Sequence, residues 1–170
     1  AGYGISIFEA YPQRLQEALL SRGIKVKIIN SGVIGETTAG GLRRAPFVAT
    51  QKPDIVIVAL GGNDLLRGID PANTKANLAG IITTFQKEGI TVILAGMKAP
   101  TNLGPTYVKS FDSLFPELAK EFNIPLIPFL LDGVALDPHL NQADGIHPNQ
   151  QGAIIIAEKN ILPIISQNLQ

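Results

Sequence analysis

Along the 170-residue chain the apolar positions alternate between two patterns. Short continuous runs rich in β-branched residues, at 26–29, 55–60, 92–95 and 126–129, predict strands. Between them, segments 9–21, 39–50, 71–87, 106–122 and 150–169 carry apolar residues at helical spacing, and each is long enough for a crossover helix. The alternation predicts βα units around a parallel sheet, an α/β chain folded as a three-layer sandwich. The run Ile55-Val56-Ile57-Val58-Ala59-Leu60 has no polar face, which predicts a central strand with helices on either side. Pro12 and Pro71 suit first helical turns, while Gly23 and Gly89 follow helical segments where a left-handed cap is wanted. No linker or repeat breaks the alternation, so residues 1–170 are expected to form one domain. In such sheets ligands lie beyond the carboxyl ends of the strands, which directs attention to the loops after Ile29, Leu60, Ala95 and Phe129.

Charge narrows the partner. Fourteen basic and fourteen acidic residues cancel, so nothing pulls the chain towards nucleic acid or an anionic membrane, and a small-molecule partner is expected. The absence of cysteine excludes disulfides, thiolate metal sites and a cysteine nucleophile, and leaves the compartment open. No apolar run approaches the roughly 18 residues of a membrane span, so no stable membrane insertion is expected. The opening Ala1-Gly2-Tyr3-Gly4 lacks the pattern of a signal peptide.

The sharpest chemical motif is Asp144-Gly145-Ile146-His147-Pro148, ahead of the last helical segment. A carboxylate that accepts the imidazole's Nδ1 proton fixes the tautomer and leaves Nε2 free as a general base. Pro148 biases His147 towards an extended backbone and can open the following helix. A plain Asp-Gly turn with a solvated histidine fits the pentapeptide equally well. After the 55–60 run comes Gly61-Gly62-Asn63-Asp64, where Asn63 offers an amide donor that can stabilise an oxyanion, although the run also suits a simple turn. The loop Asn30-Ser31-Gly32-Val33-Ile34-Gly35-Glu36-Thr37-Thr38 can present the Gly35 N–H as a helix begins; the alternative is a loose loop with Thr37 or Thr38 as N-cap. His139, in Asp137-Pro138-His139, lacks companion ligands for a metal and reads as a surface loop residue. Ser6 and Ser31 read as ordinary polar loop residues.

Taken together these motifs resemble the SGNH (GDSL) hydrolases, and within them the bacterial multifunctional thioesterase, lysophospholipase and arylesterase subgroup. The resemblance covers essentially the whole chain. It implies the SGNH hydrolase fold, a flavodoxin-like sandwich. It also implies a Ser-His-Asp triad in which Asp144 and His147 are acid and base, with Gly35 and Asn63 in the oxyanion hole. The subgroup's Gly-Asp-Ser-Leu motif runs into Ala-Gly-Tyr-Gly, which here is Ala1-Gly2-Tyr3-Gly4. The nucleophilic serine and the strand leading to it are therefore expected upstream of Ala1. The long segment from Met97 to Tyr107 matches a loop that borders the acyl pocket in these enzymes, which makes Leu103 and Tyr107, with Ile146, candidate substrate contacts. A rigid, proline-packed surface loop is the alternative for that segment. The implied activity is hydrolysis of short to medium acyl esters or thioesters without metal or cofactor, in the periplasm or outside the cell, with the cytoplasm as alternative. Two other functions compete with it: removal of O-acetyl groups from carbohydrates, and non-catalytic acyl or glycan binding by a chain without the serine.

Overall fold

Strands without a polar face need cover on both sides, and the structure pairs three such runs in parallel. In this computed structural model, which describes residues 1–169, β1 (Ile55–Val58), β2 (Thr91–Ala95) and β3 (Leu126–Ile127) lie in the order β1-β2-β3. Ile55 pairs with Thr91, and Leu94 with Leu126. The central strand is therefore β2, not the 55–60 run. Val92, Ile93, Leu94 and Ala95 are buried on both faces, whereas Ile55, Val56 and Ile57 are only half-buried and pair along one edge. The 26–29 run is not a ladder strand. Its alternate positions are half-buried, as in a strand, but the Ile28 N–H donates to the Gln16 side chain rather than to a neighbouring backbone (2.7 Å).

The chain divides into two compact units, Gly35–Phe129 and a second made of Ala1–Ile34 with the chain from Leu130 onward. In the first, α2 (Thr38–Ala49), α4 (Pro71–Lys87) and α5 (Pro105–Glu121) accompany the sheet, and the five-residue helix α3 (Gly62–Leu66) follows β1. Pro71 opens α4 behind Asp70, whose carboxylate accepts the Ala72 N–H (2.9 Å). Leu78, Ile82 and Phe85 then recur on one face of α4 and pack with Phe111, Leu114, Phe115 and Leu118 of α5 and with Val58, Val92 and Leu94 of the sheet. Each such side chain contributes about 1.5–3 kcal/mol by leaving water.

In the second unit α1 (Tyr11–Ser21) buries Leu15, Ala18 and Leu19 against the C-terminal helical stretch. That stretch is one helix by its apolar period but three segments in space: α6 (Gln150–Ile155), a π turn (Ile156–Ile161) and α7 (Leu162–Ser166). Pro163 has no N–H to return to the preceding turn, and the wider π geometry sits directly ahead of it. The π turn directs the Asn160 amide to the carbonyls of Leu130 and Asp132 (2.9 Å each). No helix among the described residues is long and apolar enough to cross a membrane.

The polar centre of the Gly35–Phe129 unit is Asp64, which is fully buried. Its carboxylate accepts the Thr38 N–H (2.8 Å), the Thr38 hydroxyl and the Thr74 hydroxyl (3.3 Å), and the Asn77 amide donates to the Thr38 oxygen (3.1 Å). A buried charge is tolerated only when its oxygens are satisfied in this way, and its removal strands the donors. Asp64→Ala is therefore expected to lower unfolding free energy by roughly 3 kcal/mol, measured by urea denaturation, with Thr38→Val costing less because two donors to Asp64, the residue-38 N–H and the Thr74 hydroxyl, survive.

Candidate active site

The loop that carries Asp144 is closed by its own backbone. Gln142 N–H donates to the His147 carbonyl (2.8 Å) and Gly145 N–H to the Gln142 carbonyl (2.9 Å), while Asn141 and Pro148 bridge in antiparallel fashion. Asp144 divides its carboxylate between two tasks. Oδ1 accepts the N–H groups of Ile146 (2.9 Å) and His147 (3.0 Å), which shapes the turn. Oδ2 lies 2.7 Å from His147 Nδ1 and holds the proton there. The Asp-Gly turn and the Asp144–His147 pair are thus the same structure. The backbone N–H groups of His147 and Ile146, then the imidazole, hold the Asp144 carboxyl down at about 2. Nε2 of His147 makes no hydrogen bond with any described residue and is available as a base.

The helix after this loop starts differently from expectation. Pro148 stays outside it, and Asn149 is the N-cap, accepting the N–H groups of Gln151 (3.0 Å) and Gly152 (3.1 Å) and donating to the carbonyls of His139 and Asn141. An asparagine directly before a helical segment is a legible cap signal, and it pins the far end of the histidine loop. Tyr3 places its ring 4.4 Å from the imidazole, tilted by 36°. His139 is exposed, and the Ser6 oxygen accepts the Phe8 N–H (3.3 Å) in a local turn. No cluster of three or more metal-ligating side chains occurs among the described residues.

Gly35 and Asn63 both belong to the Gly35–Phe129 unit, and the polar network above ties their segments together through Thr38 and Asp64. The Arg67 guanidinium adds a second tie, donating to the Gly35 carbonyl (2.8 Å). Gly35 holds φ at +72°, a backbone state that suits glycine. Neither the Gly35 N–H nor the Asn63 carboxamide is engaged by another described residue, so both donors are open. The N-cap of α2 is Thr37, but its hydroxyl does not cap, and the Thr38 hydroxyl goes to Asp64 instead. Asp64, Thr38 and Arg67 escape a reading of the sequence because their partners lie far along the chain.

Leu103 and Tyr107 line one groove of about 760 Å³ in the same unit, with Gly68, Asp70, Lys75 and Glu117 along it. The Tyr107 hydroxyl donates to the Ile69 carbonyl (2.9 Å), and its ring stacks on Phe111 (centroids 6.1 Å apart). Burial, then the Asp64 and Asp70 charges, push the phenol up, so it stays a donor. Ile146, the other candidate substrate contact, is exposed in the second unit.

Residues 1–154 match the model of the GDSL-like lipase/acylhydrolase family. The chain is 38% identical over 149 residues to an esterase, TesA, of Pseudomonas aeruginosa, covering 87% of this chain and 74% of that protein. It is 36% identical over 172 residues to thioesterase 1/protease 1/lysophospholipase L1 of Escherichia coli, covering 99% and 81%. Among solved structures, AlinE4, an SGNH-hydrolase family esterase, superposes with a TM-score of 0.81 at 44% identity, covering 99% of this chain and 90% of that one. The chain belongs to the GDSL-like lipase/acylhydrolase family and is a carboxylic ester hydrolase with the α/β fold of the SGNH hydrolases.

Proposed function

We propose that the protein hydrolyses short to medium acyl esters and thioesters through a Ser-His-Asp triad whose serine precedes Ala1. The observation that carries this reading is the Asp144–His147 pair, with Nδ1 held at 2.7 Å from Oδ2 and Nε2 open. His147 Nε2 takes the serine proton as the serine oxygen attacks the acyl carbon, and the carbonyl electrons move onto oxygen. Asp144 stabilises the imidazolium so formed. The Gly35 N–H and the Asn63 amide donate to the oxyanion. Its collapse expels the alcohol or thiol, which takes the proton from His147. Water, deprotonated in turn by His147, then releases the acid and restores the serine. Leu103, Tyr107 and Ile146 are the proposed substrate contacts; the apolar Leu103 and the aromatic Tyr107 along one groove support an acyl or aryl group there. By the same resemblance the protein acts in the periplasm or outside the cell, which cell fractionation tests.

Turnover of a p-nitrophenyl ester series from acetyl to decanoyl is expected to peak at short to medium chains; preference for acetylated glycans over the whole series would overturn the substrate assignment. Asn63→Ala should lower kcat about 100- to 1000-fold with KM little changed, since the amide serves the transition state; unchanged turnover would remove Asn63 from the oxyanion hole.

The Asp144 carboxyl is expected to titrate at about 2, below its ordinary 3.8, when followed by carbon NMR. Because the folded value is depressed, the associated stability is complete above about pH 4 and is lost as pH falls towards 2. Any fall in activity above pH 4 therefore belongs to another group. A midpoint near 3.8 would show that the turn does not hold the carboxylate as described.

A further inference from the structure

We infer that Gln142 is a positioning residue for catalysis, a tether that sets the segment following the nucleophile against the loop of the general base. The inference rests on the proposed triad, in which the serine lies just upstream of Ala1. The Gln142 amide donates to two carbonyls, Tyr3 at 2.7 Å and Pro148 at 3.1 Å. Two carbonyl acceptors admit only the nitrogen end of the carboxamide, so the side chain has one orientation. Its backbone is equally committed, with the N–H on His147 and the carbonyl on Gly145. Gln142 thus touches the histidine loop at three points and reaches across 139 positions of sequence to the Tyr3 peptide.

The receiving side is shaped to match. Gly4 holds φ at +71°, and a Cβ there would fall 2.0 Å from the Gln142 Oε1, so the amide rests against bare backbone. One residue earlier the Tyr3 ring lies 4.4 Å from the His147 ring. On the other flank the Asn30 amide donates to the Ala1 carbonyl (2.8 Å), so residues 1–4 run between two carboxamides, only one of which belongs to the base's loop. A serine reacts when its oxygen stands within hydrogen-bond reach of the base, and a displacement of about 1 Å can cost about 100-fold in rate. Gln142 is a direct hydrogen-bonded link from the base's loop to the segment that fixes this distance.

The test uses the full-length protein with Gln142→Met, which keeps side-chain length and removes both donors. The rate constant for covalent inactivation by an alkyl phosphonate ester is expected to fall about tenfold to 100-fold, with the inhibitor's saturation constant and the thermal midpoint little changed. Gly4→Ala, which pushes the amide away from the other side, should reproduce the loss. A readout independent of activity is the His147 imidazole resonance, identified by its disappearance in His147→Gln. Its upfield displacement by the Tyr3 ring, gauged with Tyr3→Leu, should shrink in Gln142→Met. An unchanged inactivation rate or an unchanged His147 resonance would overturn the tether. Retention of activity by His147→Ala strikes the proposed triad instead, and the resonance measurement then decides the tether alone.

Discussion

A carboxylate fully removed from water must have its charge answered by donors, and Asp64 meets that demand with the first residue of α2 and a threonine of α4. The requirement is geometric as much as energetic. Thr38 and Thr74 have to converge on the two oxygens of Asp64, so the segment that carries Gly35 and the helix that carries Asn63 cannot drift apart while these hydrogen bonds hold. The open donors of Gly35 and Asn63 thus stand on a framework set by residues with no chemistry of their own to perform.

Asp144 is the counterpart at the surface. Being exposed, it faces no comparable desolvation, and its role comes from the way its oxygens are shared. One builds the turn and the other holds the imidazole, so a change that loosened the turn would also release the ring. This explains why so short a motif suffices. The turn needs an aspartate for its own closure, and the spacing it enforces brings the histidine to the remaining oxygen.

Much of this was legible in the sequence. Four of the five helical segments emerged within two residues of their observed limits, α4 with the same bounds, because proline and a capping aspartate mark its start and its apolar stripe is regular. The Asp144–His147 contact was legible for the same reason, being local. Harder to read was everything settled by pairing at a distance. The 55–60 run is apolar enough for a central strand, but centrality depends on neighbours, and β2 has them on both sides. The 26–29 run has strand periodicity without a ladder, α3 is too short to display a period, and the partners of Asp64 and Gln142 lie 26 and 139 positions away.

The π turn in the C-terminal helical stretch has a bearing on how this chain tolerates change in length. A π turn is an α-helix holding one residue more than its pitch requires, so the surplus is contained between Ile156 and Ile161. The segments on either side keep their own faces against α1, and the Asn149 cap at the head is set by its own hydrogen bonds. Gain or loss of a residue in the widened turn can be taken up there as a change of local pitch. The rotation then stops short of Asn149, and the histidine loop ahead of it is insulated from drift in the chain's tail.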